Sequence, residues 1–428
     1  MGRHLGALAA AAGAIAAIAT GCGGGGEARR VAAPRPHTAA EHLRAIAALT
    51  AAHGGTRAAG SPGYGTAVRY VTRTLEAAGY EVTRQAVSFP FFDVRSPSLV
   101  RAGGRTLRRG RDVRTTAFSG AGDVRAPLRV VRRGRGCTAA GAAVVRAGEV
   151  ALVPRGGCTL LRKAVVAARA GAAAVLVADD RPAPTAFRGT LGGPAVDVPV
   201  LALSQAAGRS LAAHAGRRVR VRADVVSERR EADTVLAERP GARRGRILMA
   251  GAHLDSVPEG PGVNDDGSGV AAVLAVAERR RAQPGLRFAF WAAEEDGLYG
   301  SRRYVAALDR GERDRIAGYV NADMVASPNP SAEVYGTRAL RERLRRAVRA
   351  TGRRPRPADV GGLSDHAPFG RVGIPYGGLF TGASERAPNG RPHDPCYHRR
   401  CDDLGNVDLA MLADMTDALD RVLREGAR

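Results

Sequence analysis

The stretch RILMAGAHLDSVPEGPGVNDDGSG, residues 246–269, decides the fold of this chain. Its apolar run 247–251 predicts a strand that ends at His253, and a helical pattern starts at Ser268 and continues to residue 281. A strand followed by a helix is the repeating unit of a doubly wound α/β sheet. The stretch therefore predicts an α/β fold with polar residues between a strand and a helix.

Two later apolar runs also end in acidic residues. The run 286–293 is followed by Glu294 and Glu295, and the run 316–321 is followed closely by Asp323. Ligands of open α/β sheets bind at the carboxyl ends of the strands. Because three predicted strands end in polar residues, the sequence predicts a single site at this edge of the sheet.

The residue types at the strand ends are those of a metal site. His253 and Asp255 form an H-x-D pair, in which an imidazole binds a metal while a carboxylate holds its other nitrogen. Glu294 and Glu295 point in opposite directions on an extended backbone, so that one can bind metal and the other can carry a proton.

A glycine-rich turn and a later histidine would complete the set. The turn GVNDDGSG offers Asp265 or Asp266, and Asp323 adds another carboxylate. Two imidazoles with three carboxylates suit zinc, in a site that can hold two ions. Spacing alone leaves three candidates for the second histidine: His366, His393 and His398.

The N-terminus has the pattern of an export signal. Residues 1–22 contain Arg3, an apolar segment over 5–19 and small residues leading to Cys22. The ending Ala-Thr-Gly-Cys resembles a lipobox, so we expect lipidation of Cys22 and a flexible linker over 23–40. The chain is then an exported cell-surface lipoprotein, in contact with the membrane through its lipid only. The alternatives are a plain cleaved signal, giving a secreted protein, and a single uncleaved anchor.

The other four cysteines fall into two local pairs. In an exported, oxidised chain they predict two disulfides, Cys137 with Cys158 and Cys396 with Cys401. A cysteine-rich zinc site is one rival interpretation, although neither pair has the spacing of a zinc knuckle. Buried thiols at Cys137 and Cys158 are another.

The strongly basic composition does not indicate a nucleic-acid partner. The chain has 65 basic and 41 acidic residues, a net charge of +24. Nearly all the positive charge is arginine, with Lys163 as the only lysine, in a chain also rich in alanine and glycine. GC-rich codons account for this bias, and no stacking aromatics lie between the arginines. We expect no nucleic-acid binding.

Five motifs together resemble the secreted dinuclear zinc aminopeptidases of metallopeptidase family twenty-eight. They are HLDSVPEGPGVNDDGSG (253–269), FWAAEEDGLYGS (290–301), GYVNADMV (318–325), SDHAPF (364–369) and CYHRRCDDL (396–404). The resemblance covers 41–90 and 225–428 and implies a phosphorylase/aminopeptidase-like mixed sheet flanked by helices. Residues 91–224 resemble a smaller inserted α/β unit, a protease-associated domain, most clearly in VPRGGCTLLRKAVVAARAGAAAVLV (153–177).

The resemblance assigns five metal ligands. It implies that Asp265, rather than Asp266, bridges two zinc ions, and that a cis peptide bond joins these two residues. The remaining ligands are His253 and Asp323 at one zinc, and Glu295 and His398 at the other.

The resemblance also assigns the residues that act on the substrate. Glu294 is the general base toward a water bridging the metals, Asp255 orients His253, and Tyr397 stabilises the oxyanion. The disulfide between Cys396 and Cys401 fixes the loop that carries Tyr397. One position departs from the family pattern, since Leu363 stands where some relatives have an arginine that contacts the substrate.

The predicted function is that of an exported zinc aminopeptidase, a monomer that hydrolyses N-terminal residues from peptides with a free N-terminus. A carboxypeptidase or dipeptidase of the same family is the alternative. A non-catalytic binding protein and a glutaminyl-cyclising enzyme are further alternatives. A non-catalytic binding protein would require the loss of metal ligands, whereas all five proposed ligands are present in this sequence.

Overall fold

The computed structural model describes residues 35–240 and 245–426. The described residues from 36 onward form one compact unit. The predicted signal segment 1–22 with Cys22, and most of the linker 23–40, lie outside the described residues. No helix in the described part of the chain is long and apolar enough to cross a membrane.

The chain alternates strands and helices, as the periodicity predicts. The strands are β1 (Glu81–Ala102), β2 (Arg105–Thr106), β3 (Val113–Thr115), β4 (Gly122–Val130), β5 (Val150–Pro154), β6 (Ala174–Ala178), β7 (Val200–Leu203), β8 (Arg218–Glu238), β9 (Ile247–His253), β10 (Leu286–Trp291), β11 (Ile316–Ala322), β12 (Glu333–Gly336), β13 (Arg356–Pro357) and β14 (Tyr376–Phe380). The helices are α1 (Ala39–Ala52), α2 (Pro62–Ala77), α3 (Ala139–Ala142), α4 (Leu160–Arg169), α5 (Gln205–Ala212), α6 (Gly269–Arg279), α7 (Tyr299–Ala307), α8 (Arg310–Arg315), α9 (Arg338–Arg349), α10 (His366–Arg371) and α11 (Leu409–Glu425).

The strands form a mixed sheet. Its order is β13-β12-β14-β11-β9-β10-β8-β4-β5-β6-β7-β3, with β1 paired to β8 and to β2. Strand β9 runs parallel to β10 and β11, whereas β8 is antiparallel to β10. The predicted mixed α/β sheet is confirmed. The carboxyl ends of β9, β10 and β11 share one edge, so the residues that follow them meet there.

Two long antiparallel strands connect the larger and smaller parts of the chain. Strands β1 and β8 pair from Glu81 opposite Glu238 to Ala102 opposite Val219. Both expected domain boundaries, at 90/91 and 224/225, fall inside these strands. The smaller α/β unit is therefore reached through continuous strands, and the disulfide between Cys137 and Cys158 lies within it.

Helix α6 occupies the centre of the larger core. Its residues 269–277 are all buried. It packs against α1, α11 and the sheet. Thr38 caps α1 in a capping box with Glu41, which fixes where this helix begins. On the opposite face of the sheet, Tyr319 and Phe369 stack at 4.2 Å between ring centroids.

A buried arginine supports the loop between β9 and the glycine-rich turn. Arg57 is fully buried, and its guanidinium donates to the carbonyls of Leu254 (3.2 Å), Pro261 and Gly262 (2.8 Å). Burial lowers the pKa of Arg57, and the nearby carboxylate of Asp402 opposes that shift. The arginine thus ties both ends of this loop to the segment between α1 and α2.

We expect Arg57→Met to lower the free energy of unfolding by about 3 kcal/mol or more, because each buried carbonyl left without a donor costs about 1–3 kcal/mol. Urea denaturation measures this, with Arg44→Met, an exposed arginine on α1, as the control. A loss within about 0.5 kcal/mol, the range of ordinary surface substitutions, would contradict this role for Arg57.

Candidate metal centre

His253 is the last residue of β9, and its buried imidazole faces two carboxylates. Its Nε2 lies 3.1 Å from Asp265 Oδ1 and 3.7 Å from Asp323 Oδ1. Its Nδ1 lies 3.2 Å from the main-chain oxygen of Asp255, closer than the 3.8 Å to the carboxylate of that residue. The ring is thus held by the backbone, with Nε2 directed at the carboxylates.

Asp265 lies between two histidines. Its Oδ1 faces His253, and its Oδ2 lies 3.2 Å from Nε2 of His398. Burial alone would raise the pKa of Asp265, but contacts with both histidines outweigh it and hold this pKa below its usual value. The peptide bond between Asp265 and Asp266 is cis, as the resemblance implies.

The neighbouring Asp266 has a different environment. Its carboxylate accepts the main-chain N–H groups of Gly269 (2.9 Å), Met324 (3.2 Å) and His253 (3.1 Å). Its oxygens come within 4.8 Å of the donor atoms of His253 and Asp323. Both oxygens of Asp266 already accept hydrogen bonds from the backbone, so this carboxylate connects the end of β9 to the segments that follow β11 and the glycine-rich turn. Asp265 is the carboxylate directed at both histidines.

The two glutamates after β10 are held by Asp255. The main-chain N–H groups of Glu294 and Glu295 donate to its Oδ1 (3.1 Å) and Oδ2 (3.2 Å). Ala293, just before them, has a φ of 52°, a left-handed conformation that turns the chain at the strand end. The resemblance implies that Asp255 orients His253. In the structure, its carboxylate contacts the backbone of the two glutamates more closely than it contacts His253.

The two glutamate side chains face different partners, as expected from their adjacent positions. Glu295 Oε2 lies 3.2 Å from His398 Nε2, whereas Glu294 lines the cavity in front of His253. Burial raises the pKa of Glu294 well above its usual value and that of Glu295 to about 7.

The loop with Tyr397 and His398 is closed by the disulfide between Cys396 and Cys401. The two rings lie 3.9 Å apart between centroids, and His398 has a φ of 56°. Burial, with nearby carboxylates led by that of Asp265, raises the pKa of Tyr397. The phenol therefore stays protonated and can donate a hydrogen bond into the cavity.

The other two candidate histidines lie elsewhere. His366 Nε2 contacts the main-chain oxygen of Gly361 (2.9 Å), and His393 Nδ1 contacts that of Asn329 (2.5 Å). Among the described residues, His398 alone of the three candidates lies within 4 Å of a carboxylate oxygen. The structure thus brings together His253, Asp265, Glu295, Asp323 and His398.

Two supporting residues were missed by the sequence analysis. Ser364 donates from Oγ to Asp323 Oδ2 (2.6 Å), and Asp402 accepts the main-chain N–H groups of Asn264 (2.9 Å) and Asp265 (3.0 Å). Both lie in motifs quoted above. Nothing in the spacing shows that Asp402, in the disulfide loop, reaches the glycine-rich turn.

The five side chains fit zinc. In a tetrahedral site with bonds of about 2.0–2.2 Å, neighbouring donor atoms lie about 3.3–3.6 Å apart. The histidine–carboxylate separations here run from 3.1 to 3.7 Å. Imidazole nitrogens favour zinc over calcium or magnesium, which prefer oxygen ligands. Asp265, with one oxygen toward each histidine, divides the donors into two groups.

A cavity of about 610 Å³ opens over these side chains. It is lined by Glu294 and Tyr397, and by the apolar side chains of Leu298, Met324 and Phe380. Leu363 lies at its edge and is 84% exposed. The cavity therefore combines carboxylates with apolar side chains.

An α/β sheet with histidines and carboxylates clustered at the ends of adjacent parallel strands is typical of metal-dependent hydrolases. Comparison with known families agrees. Residues 234–423 match the model described as peptidase family M28, and residues 124–211 match the PA domain.

Two curated relatives span most of the chain. It is 35% identical over 407 residues to the probable lipoprotein aminopeptidase LpqL of Mycobacterium tuberculosis, covering 87% of this chain and 81% of the relative. It is 34% identical over 424 residues to an aminopeptidase of Pseudomonas aeruginosa, covering 89% and 78%. The chain belongs to peptidase family M28, and its smaller α/β unit contains a PA domain.

Solved structures share the fold. The aminopeptidase from Aneurinibacillus sp. strain AM-1 is 28% identical, with a TM-score of 0.63 over 91% of this chain and 94% of that one. A zinc aminopeptidase from Bacillus subtilis, 24% identical, has a TM-score of 0.62 over 91% and 95%. The similarity extends through both parts of the described chain.

Proposed function

We propose that this chain is a dinuclear zinc aminopeptidase that hydrolyses the N-terminal residue from peptides. One observation carries the proposal, namely the position of Asp265 with one carboxylate oxygen at His253 and the other at His398. The names of the relatives in Mycobacterium and Pseudomonas support aminopeptidase activity.

Two groups of side chains would hold the metal. Asp265 would be shared, His253 and Asp323 would complete one zinc site, and Glu295 and His398 the other. Zinc supplies a Lewis acid that polarises the scissile carbonyl and makes water a nucleophile near neutral pH. Ser364 holds Asp323 through its second oxygen, which leaves the first directed at His253.

Glu294 is placed to move the proton. Its carboxylate lines the cavity next to the ligand Glu295, and its backbone is fixed by Asp255. The positive charge of bound zinc would keep this carboxylate ionised in spite of its burial. It would then accept a proton from the attacking water and deliver it to the leaving amine, a step worth about 10²–10⁴-fold in rate. Tyr397 donates its phenolic proton as a hydrogen bond to the oxyanion that develops at the carbonyl.

The charge of the cavity suits a free amino terminus. Asp359 and Glu385 line it without being proposed ligands, and their carboxylates attract the substrate ammonium group. Two arginines, Arg302 and Arg371, line the same cavity and supply a positive group for a free carboxylate. This observation favours a second candidate, a carboxypeptidase or dipeptidase with the same centre.

Substrate blocking distinguishes the two candidates. The purified protein is assayed on leucine p-nitroanilide, on its N-acetylated form and on an N-acylated dipeptide with a free carboxylate. We expect cleavage of the first substrate alone. Cleavage of the acylated dipeptide instead would reject the aminopeptidase in favour of the second candidate.

We expect Tyr397→Phe to lower kcat by about 10²–10³-fold, the cost of losing one donor to the oxyanion. Zinc content stays unchanged because the phenol is not a proposed ligand. Steady-state kinetics and metal analysis measure both, with Tyr80→Phe as the control, since Tyr80 donates to Ala277 away from the cavity. An unchanged kcat would remove Tyr397 from the mechanism.

We also propose export and lipidation at Cys22, supported by the lipobox-like sequence and by the lipoprotein name of the mycobacterial relative. Labelled palmitate should enter the wild-type protein in its host but not Cys22→Ser. Release of an unlabelled wild-type protein into the medium would favour the plain signal peptide.

A further inference from the structure

A second cluster of metal-ligating side chains lies away from the catalytic cavity. His37 precedes α1, His42 lies in its first turns, and Glu278 is near the end of α6. One donor atom from each lies within 4.8 Å of the others. The cluster therefore joins residues that are 241 positions apart in the sequence.

The buried histidine of this cluster has an unsatisfied nitrogen. His42 is 0% exposed, and its Nδ1 lies 2.7 Å from the hydroxyl of Tyr70. Its Nε2 has no hydrogen-bond partner among the described residues, and lies 3.7 Å from Glu278 Oε2. That distance is too long for a hydrogen bond. When Nδ1 donates its proton to Tyr70, the Nε2 lone pair faces the carboxylate of Glu278. The two groups repel each other unless a cation lies between them.

His37 completes the donor set from the solvent side. Its Nδ1 lies 3.0 Å from Glu278 Oε1, and its side chain is 56% exposed. The carboxylate of Glu278 therefore lies between two imidazoles, 3.0 Å from His37 Nδ1 and 3.7 Å from His42 Nε2.

We propose that His37, His42 and Glu278 form a further zinc site, distinct from the catalytic centre. Glu278 Oε2 lies 3.2 Å from His37 Nδ1 and 3.7 Å from His42 Nε2, and these separations bracket the value of about 3.3–3.6 Å expected for neighbouring ligands of tetrahedral zinc. Two imidazoles and one carboxylate are a zinc donor set, and water fills the fourth position on the exposed side. Tyr70 is the positioning residue that fixes the ring of His42.

Zinc at this site would stabilise the contact between two distant parts of the sequence. Helix α6 starts directly after the turn that contains Asp265 and Asp266, and runs through the core to Glu278. Zinc at its far end would fix the segment before α1 against this helix. The role of this zinc site is structural, and peptide hydrolysis does not require it.

Zinc content tests the proposal. Wild type, His37→Ala and Glu278→Gln are equilibrated in the same zinc-buffered solution, and bound zinc is counted by elemental analysis. Each variant should contain one zinc fewer than wild type while keeping its peptidase activity. His53→Ala is the matched control, because His53 follows the same helix and lies outside the cluster. Equal zinc in wild type and His37→Ala would overturn the proposal and leave an ion pair only.

The readout is independent of the catalytic centre. The loss of one zinc should persist when His37→Ala is made in an Asp265→Asn background, even if the proposed dinuclear site is wrong. Since His37 is largely exposed, its replacement spares the core. Tyr70→Phe should weaken zinc binding at this site by about 10–100-fold in competition with a chromophoric chelator. Unchanged affinity would remove Tyr70 from the site.

Discussion

Glu294→Gln is expected to lower kcat by about 10²–10⁴-fold or more while the protein keeps its zinc. The amide cannot accept the proton of the attacking water, and this proton transfer contributes that factor. The proposed ligand Glu295 is untouched. Metal analysis and steady-state kinetics on an aminoacyl nitroanilide measure the two effects together.

The neighbouring glutamate supplies the matched control. Glu295→Gln removes the carboxylate that lies 3.2 Å from His398, so it should weaken zinc binding and lower activity in a way that added zinc partly restores. If Glu294→Gln loses zinc and Glu295→Gln keeps it, the two roles are exchanged.

Asp265→Asn is expected to lose both catalytic zinc ions and to reduce peptide hydrolysis to the background rate. Asp265 is the only carboxylate directed at both His253 and His398 among the described residues, so its loss affects both groups of ligands. The effect should exceed the ~10–100-fold loss in metal affinity that follows removal of a hydrogen-bond partner of a metal ligand.

An exposed aspartate provides the comparison for this variant. Asp314→Asn, on helix α8, has the same change in charge and should keep both the zinc and the activity. An Asp265→Asn enzyme with full activity and normal zinc content would exclude Asp265 as the shared ligand.

Hydrophobic periodicity predicted the sheet because each central strand is buried and ends abruptly in polar residues. The predicted strand over 247–251 lies within β9, and the turn with Asp265 follows it. Strand β1 was harder to predict beyond residue 90. Register shifts between Val94 and Ser96, and between Ser96 and Leu99, interrupt its alternation, and much of this strand is only half-buried.

Site residues were predictable where their type and strand-end position indicated metal binding. Selecting His398 needed the resemblance, because His366 and His393 belong to equally polar loops. Long-range contacts could not be predicted at all. Asp402 accepts the backbone N–H of Asp265 from 137 residues away, and His42 faces Glu278 across two helices. Such pairs arise from helix packing and loop closure, which local sequence does not encode.

Anomalous diffraction at the zinc edge tests the central claim most directly. Crystals of the zinc-loaded protein should show two peaks at the catalytic cavity, one bonded to Asp265 and His253 and the other to Asp265 and His398. A single peak there, or two peaks that do not share Asp265, would contradict a dinuclear zinc centre bridged by this residue.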